Sequence, residues 1–299
     1  MLKDQAATLR ALAARKASQR RQTHHSRVIV IASGKGGVGK TNIAVNLGIA
    51  WAERGLQVAL LDADMGLANV DIVLGINPRY NLLHVINGER TLEDVMVTGP
   101  LGLRIIAGGS GITELADIGQ QQLERFIDGL EELDEALDVL LIDTSAGISR
   151  SVLSFALASD EILVVATPDP TSLTDAYGLI KILAIRNHPA QLRVVVNMCE
   201  SDKHGREVFK QLDSVAQRFL SRKLDWAGSI PRDVMVQRAV REFQPFYIAY
   251  PRCKAAVAIG QMANGLLAEQ SSNMTKPLVS ANAGGVSNLF RRVLQFIRQ

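Results

Sequence analysis

The chain is poor in cysteine and aromatic residues, and it has no long apolar run. Only Cys199 and Cys253 occur in 299 residues. They are isolated, so neither a disulfide framework nor a C-x-x-C metal site is available, and the pattern predicts a reducing compartment. The same scarcity argues against a metal-cluster scaffold or a nitrogenase-type iron protein. No stretch of about 18 apolar residues exists, so no bilayer-spanning helix is expected. The first residues lack the apolar centre of a secretion signal, and no internal repeat is visible.

Acid is missing from both ends. Residues 1–27 hold seven Lys or Arg against Asp4 alone, and residues 271–299 hold four with no acid. The remaining stretch carries 22 basic and 29 acidic residues, so a net charge of +3 conceals an acidic body with basic ends. Basic ends suit anionic partners such as a membrane, a nucleic acid or an acidic protein face. An acidic body disfavours non-specific DNA binding, although Arg218, Arg222 and Lys223 form a small basic cluster.

What is present is a β-branched run, Val28 to Ala32, that feeds a glycine-rich turn and then a helix-compatible pattern from Asn42 to Ala52. Gly34 to Thr41 satisfies G-x-x-x-x-G-K-[ST], the phosphate-binding loop. Gly34, Gly36, Gly37 and Gly39, with Val38 among them, let backbone N–H groups curl around phosphate oxygens. The helix starting near Lys40 aims its positive dipole end at the same oxygens. Lys40 supplies charge to the outer phosphates, and the Thr41 hydroxyl suits Mg²⁺. ATP, ADP and Mg²⁺ are the expected ligands.

Strands are expected near 28–32, 57–61, 103–106, 138–142, 161–166, 192–196 and 226–230. Helices are expected near 40–54, 70–75, 81–87, 120–135, 150–158, 174–187, 204–220, 233–241 and 252–268. Their alternation predicts an α/β fold, a doubly wound and mainly parallel sheet with helices on both faces. Two apolar strands end in acids. Asp62 and Asp64 close one, and Asp143 closes the other, all at carboxyl ends where such sheets hold ligands. Asp62 is either part of the Lys40 and Mg²⁺ surroundings or a strand-end helix cap. An acid at Asp143 suits Mg²⁺ through water. Asn197 also ends a strand, and its amide matches the donor and acceptor edge of adenine or serves structure alone. Asp175 is a helix cap or a dimer contact.

The octapeptide Gly34-Lys35-Gly36-Gly37-Val38-Gly39-Lys40-Thr41 resembles the deviant phosphate loop of the MinD/ParA-like ATPases. The resemblance covers residues 28–270. It implies that Lys35 crosses a dimer interface to the partner's nucleotide, so that ATP holds a homodimer together. It further implies that Asp64 positions the attacking water, with Lys35, Lys40 and Asp64 as the catalytic set. Asp143-Thr144-Ser145-Ala146-Gly147 resembles the second switch of the family, with serine where the cell-division branch commonly has proline. Asn197 matches the family's base-contacting asparagine, and Gly228 to Asp233, including Pro231, resembles the loop that closes over the base.

Both tails resemble the flagellar branch of that group, FlhG. Asp4-Gln5-Ala6-Ala7-Thr8-Leu9-Arg10 matches its D-Q-A-x-x-L-R motif, which implies stimulation of a signal-recognition-type GTPase, FlhF. In that reading Gln5 orients water on the partner, while Asp4, Leu9 and Arg10 dock the segment. Residues 271–285 read as a linker. In 286–299, Val286, Leu289, Phe290, Val293, Leu294, Phe296 and Ile297 fall on one half-circle, while Arg291, Arg292 and Arg298 fall on the other. Such a helix suits the surface of an anionic bilayer, or it docks on the core and covers a groove. The division expected is therefore 1–27, a partner-activating segment; 28–270, the ATPase domain; and 271–299, linker and membrane-targeting helix. The expected protein is a cytoplasmic ATPase, slow without a stimulator, peripheral on the inner membrane face as an ATP dimer. It would govern flagellar number and placement, with flagellar ring proteins or a transcription regulator as further partners and specific nucleic acid not among them. A cell-division-site regulator or a DNA-partition ATPase is the alternative.

Overall fold

The computed structural model describes residues 26–64, 69–109, 119–273 and 285–298. Eight strands form one sheet in the order β3-β4-β2-β5-β1-β6-β7-β8. They are β1 (Arg27–Ser33), β2 (Val58–Ala63), β3 (Met96–Thr98), β4 (Arg104–Ala107), β5 (Val139–Ala146), β6 (Glu161–Ala166), β7 (Gln191–Cys199) and β8 (Asp225–Pro231). All pairings are parallel except β3 with β4.

The central strand shows why the sequence folds this way. Val28, Val30 and Ala32 face one core, and Ile29 and Ile31 face the other. A strand covered on both faces needs an unbroken apolar run, which is what the sequence supplies. Helix α1 (Lys40–Glu53) lies on the second face, where the Trp51 indole N–H donates to the Ala263 carbonyl at 3.1 Å. The first face is covered by α5 (Gln120–Ala136), α6 (Arg150–Ala158), α7 (Pro170–Ile185) and α8 (Asp202–Leu220). The short helices α2 (Asn69–Leu74), α3 (Leu82–Ile86) and α4 (Leu92–Val95) lie between β2 and β3. After β8 come α9 (Val234–Arg241), α10 (Phe246–Ala249), α11 (Lys254–Asn273) and α12 (Val286–Ile297).

Two differences from expectation have local causes. Strand β3 is three residues long and sits at the sheet edge, too short for periodicity to reveal it. Helix α7 begins at Pro170, not near 174. Asp169 caps it by accepting the Thr171 N–H at 2.8 Å, and proline at the first helical position fits there without losing a bond. Asp175 therefore does not cap this helix.

The C-terminal helix takes the second of its two expected placements, docked on the core. Residues Val286, Leu289, Phe290, Val293 and Leu294 of α12 are buried in a groove between α5 and α6. Phe290 meets Phe126 and Phe155 edge-on, with centroids 5.5 and 6.1 Å apart. Arg291 pairs with Glu131 at 3.0 Å and Arg292 with Asp160 at 2.9 Å, while Phe296 and Ile297 stay partly exposed. Here the apolar face expected to lie in a bilayer is packed on the core. The aromatic groove removes that face from water, which is why docking wins in this conformation. Among the described residues no helix is long and apolar enough to cross a membrane.

Candidate functional site

Strand β1 ends at Ser33, and the chain then turns through Gly34–Gly39 into α1. Gly37 and Gly39 adopt φ of +74° and +91°, conformations that favour glycine. Gly34 is required by proximity: a Cβ there would lie 2.2 Å from the Asp175 carbonyl group. The backbone of α7 thus forms a wall of the phosphate loop. Gly147, at φ +94°, donates its N–H to the Ser33 carbonyl at 2.9 Å and ties the second switch to the loop.

Lys40 is buried, 8% exposed, and burial pushes its pKa down while the charges of Asp143 and Asp64 pull it up. Strand register sets Asp62 opposite Asp143 across β2 and β5. The Thr41 hydroxyl donates to Asp143 Oδ2 at 2.5 Å. Asp143 Oδ1 is buried and has no hydrogen-bond partner. Burial is the main reason the Asp143 carboxyl is pushed up to about 7, and neighbouring Asp62 and Asp64 add to the effect. Asp62 is pushed up to about 6, again chiefly by burial. Its two oxygens accept the Asp64 N–H at 3.0 Å and the Val70 N–H at 3.2 Å. Asp62 therefore fastens both sides of 65–68, which lie outside the described residues. That is the capping role, played beside Asp143, whose carboxyl the Asp62 charge helps push up.

An orphaned carboxylate oxygen beside a threonine hydroxyl and a buried lysine fits Mg²⁺ brought in by a nucleotide. Among the described residues no group of three His, Cys, Asp or Glu could hold a metal unaided. That suits an ion that keeps its waters and binds one carboxylate plus phosphates. The phosphate loop opens onto a cleft of about 500 Å³, enough for a nucleoside. Beyond the loop its walls are Thr167, Pro168, Asp169, Met198, Glu200, His204 and Arg232.

Two of the three residues expected at the base have side-chain partners within the protein. The Asn197 amide N–H donates to the Val38 carbonyl at 2.8 Å, and its oxygen accepts the Met198 N–H at 2.9 Å. Asn197 braces the phosphate loop, so close that a Cβ on Gly39 would meet its Nδ2 at 2.4 Å. Pro231 ends β8 opposite Cys199. Asp233 caps α9 by accepting the Met235 N–H at 2.9 Å, and its other oxygen accepts the Lys254 N–H at 2.8 Å where α11 starts. The side chain that lines the cleft is Arg232, between two structural neighbours. It was missed, as were Met198, Glu200 and His204. The one signal for them is their place at or after the carboxyl ends of β7 and β8, where open α/β sheets bind ligands: Met198 in the last two residues of β7, Glu200 and Arg232 one residue past a strand, and His204 in the first turn of α8. Lys35 is hydrogen-bonded to the Thr171 hydroxyl and lies 3.5 Å from Asp169. Asp4, Gln5, Leu9 and Arg10 lie outside the described residues.

A glycine cradle at a helix N-terminus, a buried lysine and a threonine–aspartate pair at the carboxyl ends of parallel strands define a P-loop NTPase. The chain belongs to the ParA/MinD family of these proteins: the ParA family model, described as "NUBPL iron-transfer P-loop NTPase", matches residues 24–267. Among named relatives, it is similar to the antiactivator FleN of Pseudomonas aeruginosa, 44% identical over 80% of this chain and 86% of that protein. It is also similar to the flagellum site-determining protein YlxH of Helicobacter pylori, 35% identical over 91% of each. The structure resembles the septum site-determining protein MinD complexed with Mg-ADP from Pyrococcus horikoshii, with TM-score 0.63 and 25% identity, covering 85% of this chain and 100% of that one.

Proposed function

We propose that the protein is an ATPase that dimerises around ATP, cycles on and off the membrane and sets flagellar number and placement. The observation that carries the ATPase reading is the grouping of buried Lys40 and Asp143 with the half-buried Thr41, with one carboxylate oxygen left unpaired. The names of the FleN and YlxH relatives support the flagellar role. The N-terminal Gln5 segment stimulates an FlhF-type GTPase, and α12 provides the membrane contact when undocked.

Thr41 and Asp143 would hold Mg²⁺, which neutralises phosphate charge. The loop N–H groups and Lys40 bind the phosphates and stabilise charge on the transferring phosphoryl group. Asp64 orients the water for in-line attack. Lys35 leaves Asp169 and Thr171 and reaches the partner's nucleotide. That exchange is cheap, because an exposed pair contributes little. The test is sedimentation with a non-hydrolysable ATP analogue and Mg²⁺. The parent should dimerise, whereas Lys35→Ala should stay monomeric with an unchanged melting temperature. A monomeric parent, or a variant that pairs as readily, overturns the reading.

A further inference from the structure

Ser26 fixes the point where residues 1–25 leave the body. Its hydroxyl donates to the Asp134 and Leu137 carbonyls at 2.9 and 3.1 Å, and the Arg27 N–H donates to the Asp138 carbonyl at 3.0 Å. That point is the end of α5, at the amino ends of β1 and β5. The same end of α5 walls an open trough of about 860 Å³, whose other side is α4, β3 and the start of β4. Its floor is apolar: Leu92 and Leu133 are buried there, with Val85 and Met96 partly so. Gly129 lets α5 close on Leu92, since a Cβ there would lie 3.2 Å from a Leu92 methyl carbon. Five acidic and three basic residues line the trough, so its rim is anionic. Two of the cations are already engaged, Arg90 with the Tyr80 hydroxyl at 2.9 Å and Arg104 with the Gln57 side chain at 3.0 Å. Exposed Glu93, Asp128 and Glu132 join no ion pair among the described residues.

An apolar floor under an anionic rim suits a cationic segment with an apolar face. Residues 1–25, outside the described residues, carry six Lys or Arg against Asp4 alone. Leu2, Leu9 and Leu12 recur at the spacing of one helix face, which Gln5 shares, while Lys3, Arg10 and Arg15 fall off it. Residues 2–12 would make about 16 Å of helix. Residues 13–25 span up to about 40 Å when extended, so the tether reaches any part of the trough. Other occupants fit less well. Residues 274–284 hold one cation, Lys276, and are tied at both ends. A second copy would bring another acidic body to an anionic rim.

We propose that the trough between α4, β3 and α5 is the docking site of this chain's own N-terminal segment, and that docking withholds the segment from its partner GTPase. The second half rests on the GTPase-stimulating reading above. The leucines cover the floor, the cations meet Glu93, Asp128 and Glu132, and Gln5 is covered with the leucine face. A short tether sets an effective concentration in the millimolar range, so an intrinsic Kd of about 1 mM keeps half of the segment docked. Affinity for the partner falls by the fraction withheld, about two- to tenfold for an intrinsic Kd between about 1 and 0.1 mM. The trough opens at the amino ends of the strands, where Thr98 pairs with Arg104, whereas the phosphate loop lies at the carboxyl ends. The GTPase therefore competes for the segment directly, whatever nucleotide is bound.

Two measurements on the full-length chain test this. In the first, the photoreactive amino acid p-benzoylphenylalanine replaces Leu9, and cross-links are mapped by peptide mass spectrometry. They should form within one chain, to 85–96 and 125–136. The yield should fall at least fivefold when Glu93→Lys, Asp128→Lys and Glu132→Lys are combined. It should also fall in the otherwise unchanged chain when NaCl is raised to about 0.5 M, which needs no variant to fold. Cross-links elsewhere, cross-links between two copies, or a yield that ignores both charge reversal and salt overturn the docking. The second measurement is GTP hydrolysis by an FlhF-type GTPase titrated with chains that keep Leu9. The triple variant should reach half-maximal stimulation at a concentration about two- to tenfold lower than the parent. Equal concentrations overturn the withholding. If cross-links map to the trough but neither chain stimulates hydrolysis, the docking stands and the GTPase-stimulating reading falls. If both chains stimulate and cross-links avoid the trough, the docking falls and that reading stands.

Discussion

The nucleotide end and the α12 groove are built on opposite principles. In the groove the polar ends find partners: Asp134 caps the first turn, Arg150 meets the last carbonyl, and Phe290 sits between two rings. At the nucleotide end the chain gathers Asp62, Asp143 and Lys40 in a buried space and leaves Asp143 Oδ1 without a partner. Burial pushes both carboxyls upward and the lysine downward, so each charge is held against its own preference. The groove already holds its occupant, whereas the cleft is unfavourable until a ligand supplies the missing charges. Strain of that sort belongs where binding does.

The largest break in this contrast should come from Gly34→Ala. The added methyl would overlap the Asp175 backbone at 2.2 Å, and backbone in the second turn of α7 has little freedom to retreat. Nucleotide binding by calorimetry should be lost, and the melting temperature of the apo protein should fall by an amount equivalent to roughly 1–3 kcal/mol. Exchange protection of α12 should persist, since the groove lies on other elements.

Asp143→Asn should act with the opposite sign on stability. An aspartate pushed up to about 7 holds its proton in the folded protein at pH values where the unfolded chain has lost it. The native state then binds more protons than the unfolded one, so this group's contribution falls as pH rises from about 4 to about 7. Asp62, at about 6, acts in the same direction over a narrower window. Removing the Asp143 charge should therefore raise apo stability at pH 8 by up to about 4 kcal/mol, at 1.36 kcal/mol per pKa unit. The gain should vanish at pH 4, and Mg²⁺-dependent nucleotide binding should be lost. Melting curves of parent and variant at pH 4 and pH 8 without nucleotide check the sign. A variant less stable than the parent at pH 8 contradicts it.

Much of the cleft was legible before the structure because phosphate binding needs backbone. Gly34 to Thr41, the strand-end acids and the order of strands and helices all follow from residue type and periodicity. What could not be read was which of several polar groups faces the ligand. Asn197 and Asp62 have the chemistry of ligand contacts, and local geometry also bonds them to Val38, Met198, Asp64 and Val70. Their backbone partners are not specified by side-chain pattern. Likewise the amphipathicity of 286–297 reveals an apolar face without revealing what covers it. A bilayer and the Phe126–Phe155 groove make the same demand of a helix.

The smallest effects come from two adjacent residues that the sequence could not tell apart. Arg232 lines the cleft and is exposed, while Asp233 accepts N–H groups from the starts of both α9 and α11. Truncating Arg232 leaves its backbone N–H bonded to the Cys199 carbonyl, so the loop keeps its path. Arg232→Ala should leave the melting temperature unchanged and weaken ATP binding only a few-fold, as expected of an exposed charge near a phosphate-bearing ligand. Asp233→Ala should do the reverse. Loss of a cap costs about 0.5–2 kcal/mol, and a carboxylate serving two helices belongs at the upper end. Because Asp233 does not line the cleft, ATP affinity should change less than stability predicts. Calorimetric titration with ATP and Mg²⁺, paired with thermal melts of both variants, separates the two roles. If Asp233→Ala loses affinity and keeps its melting temperature, the carboxylate contacts the nucleotide after all, and the division drawn at this corner of the cleft is reversed.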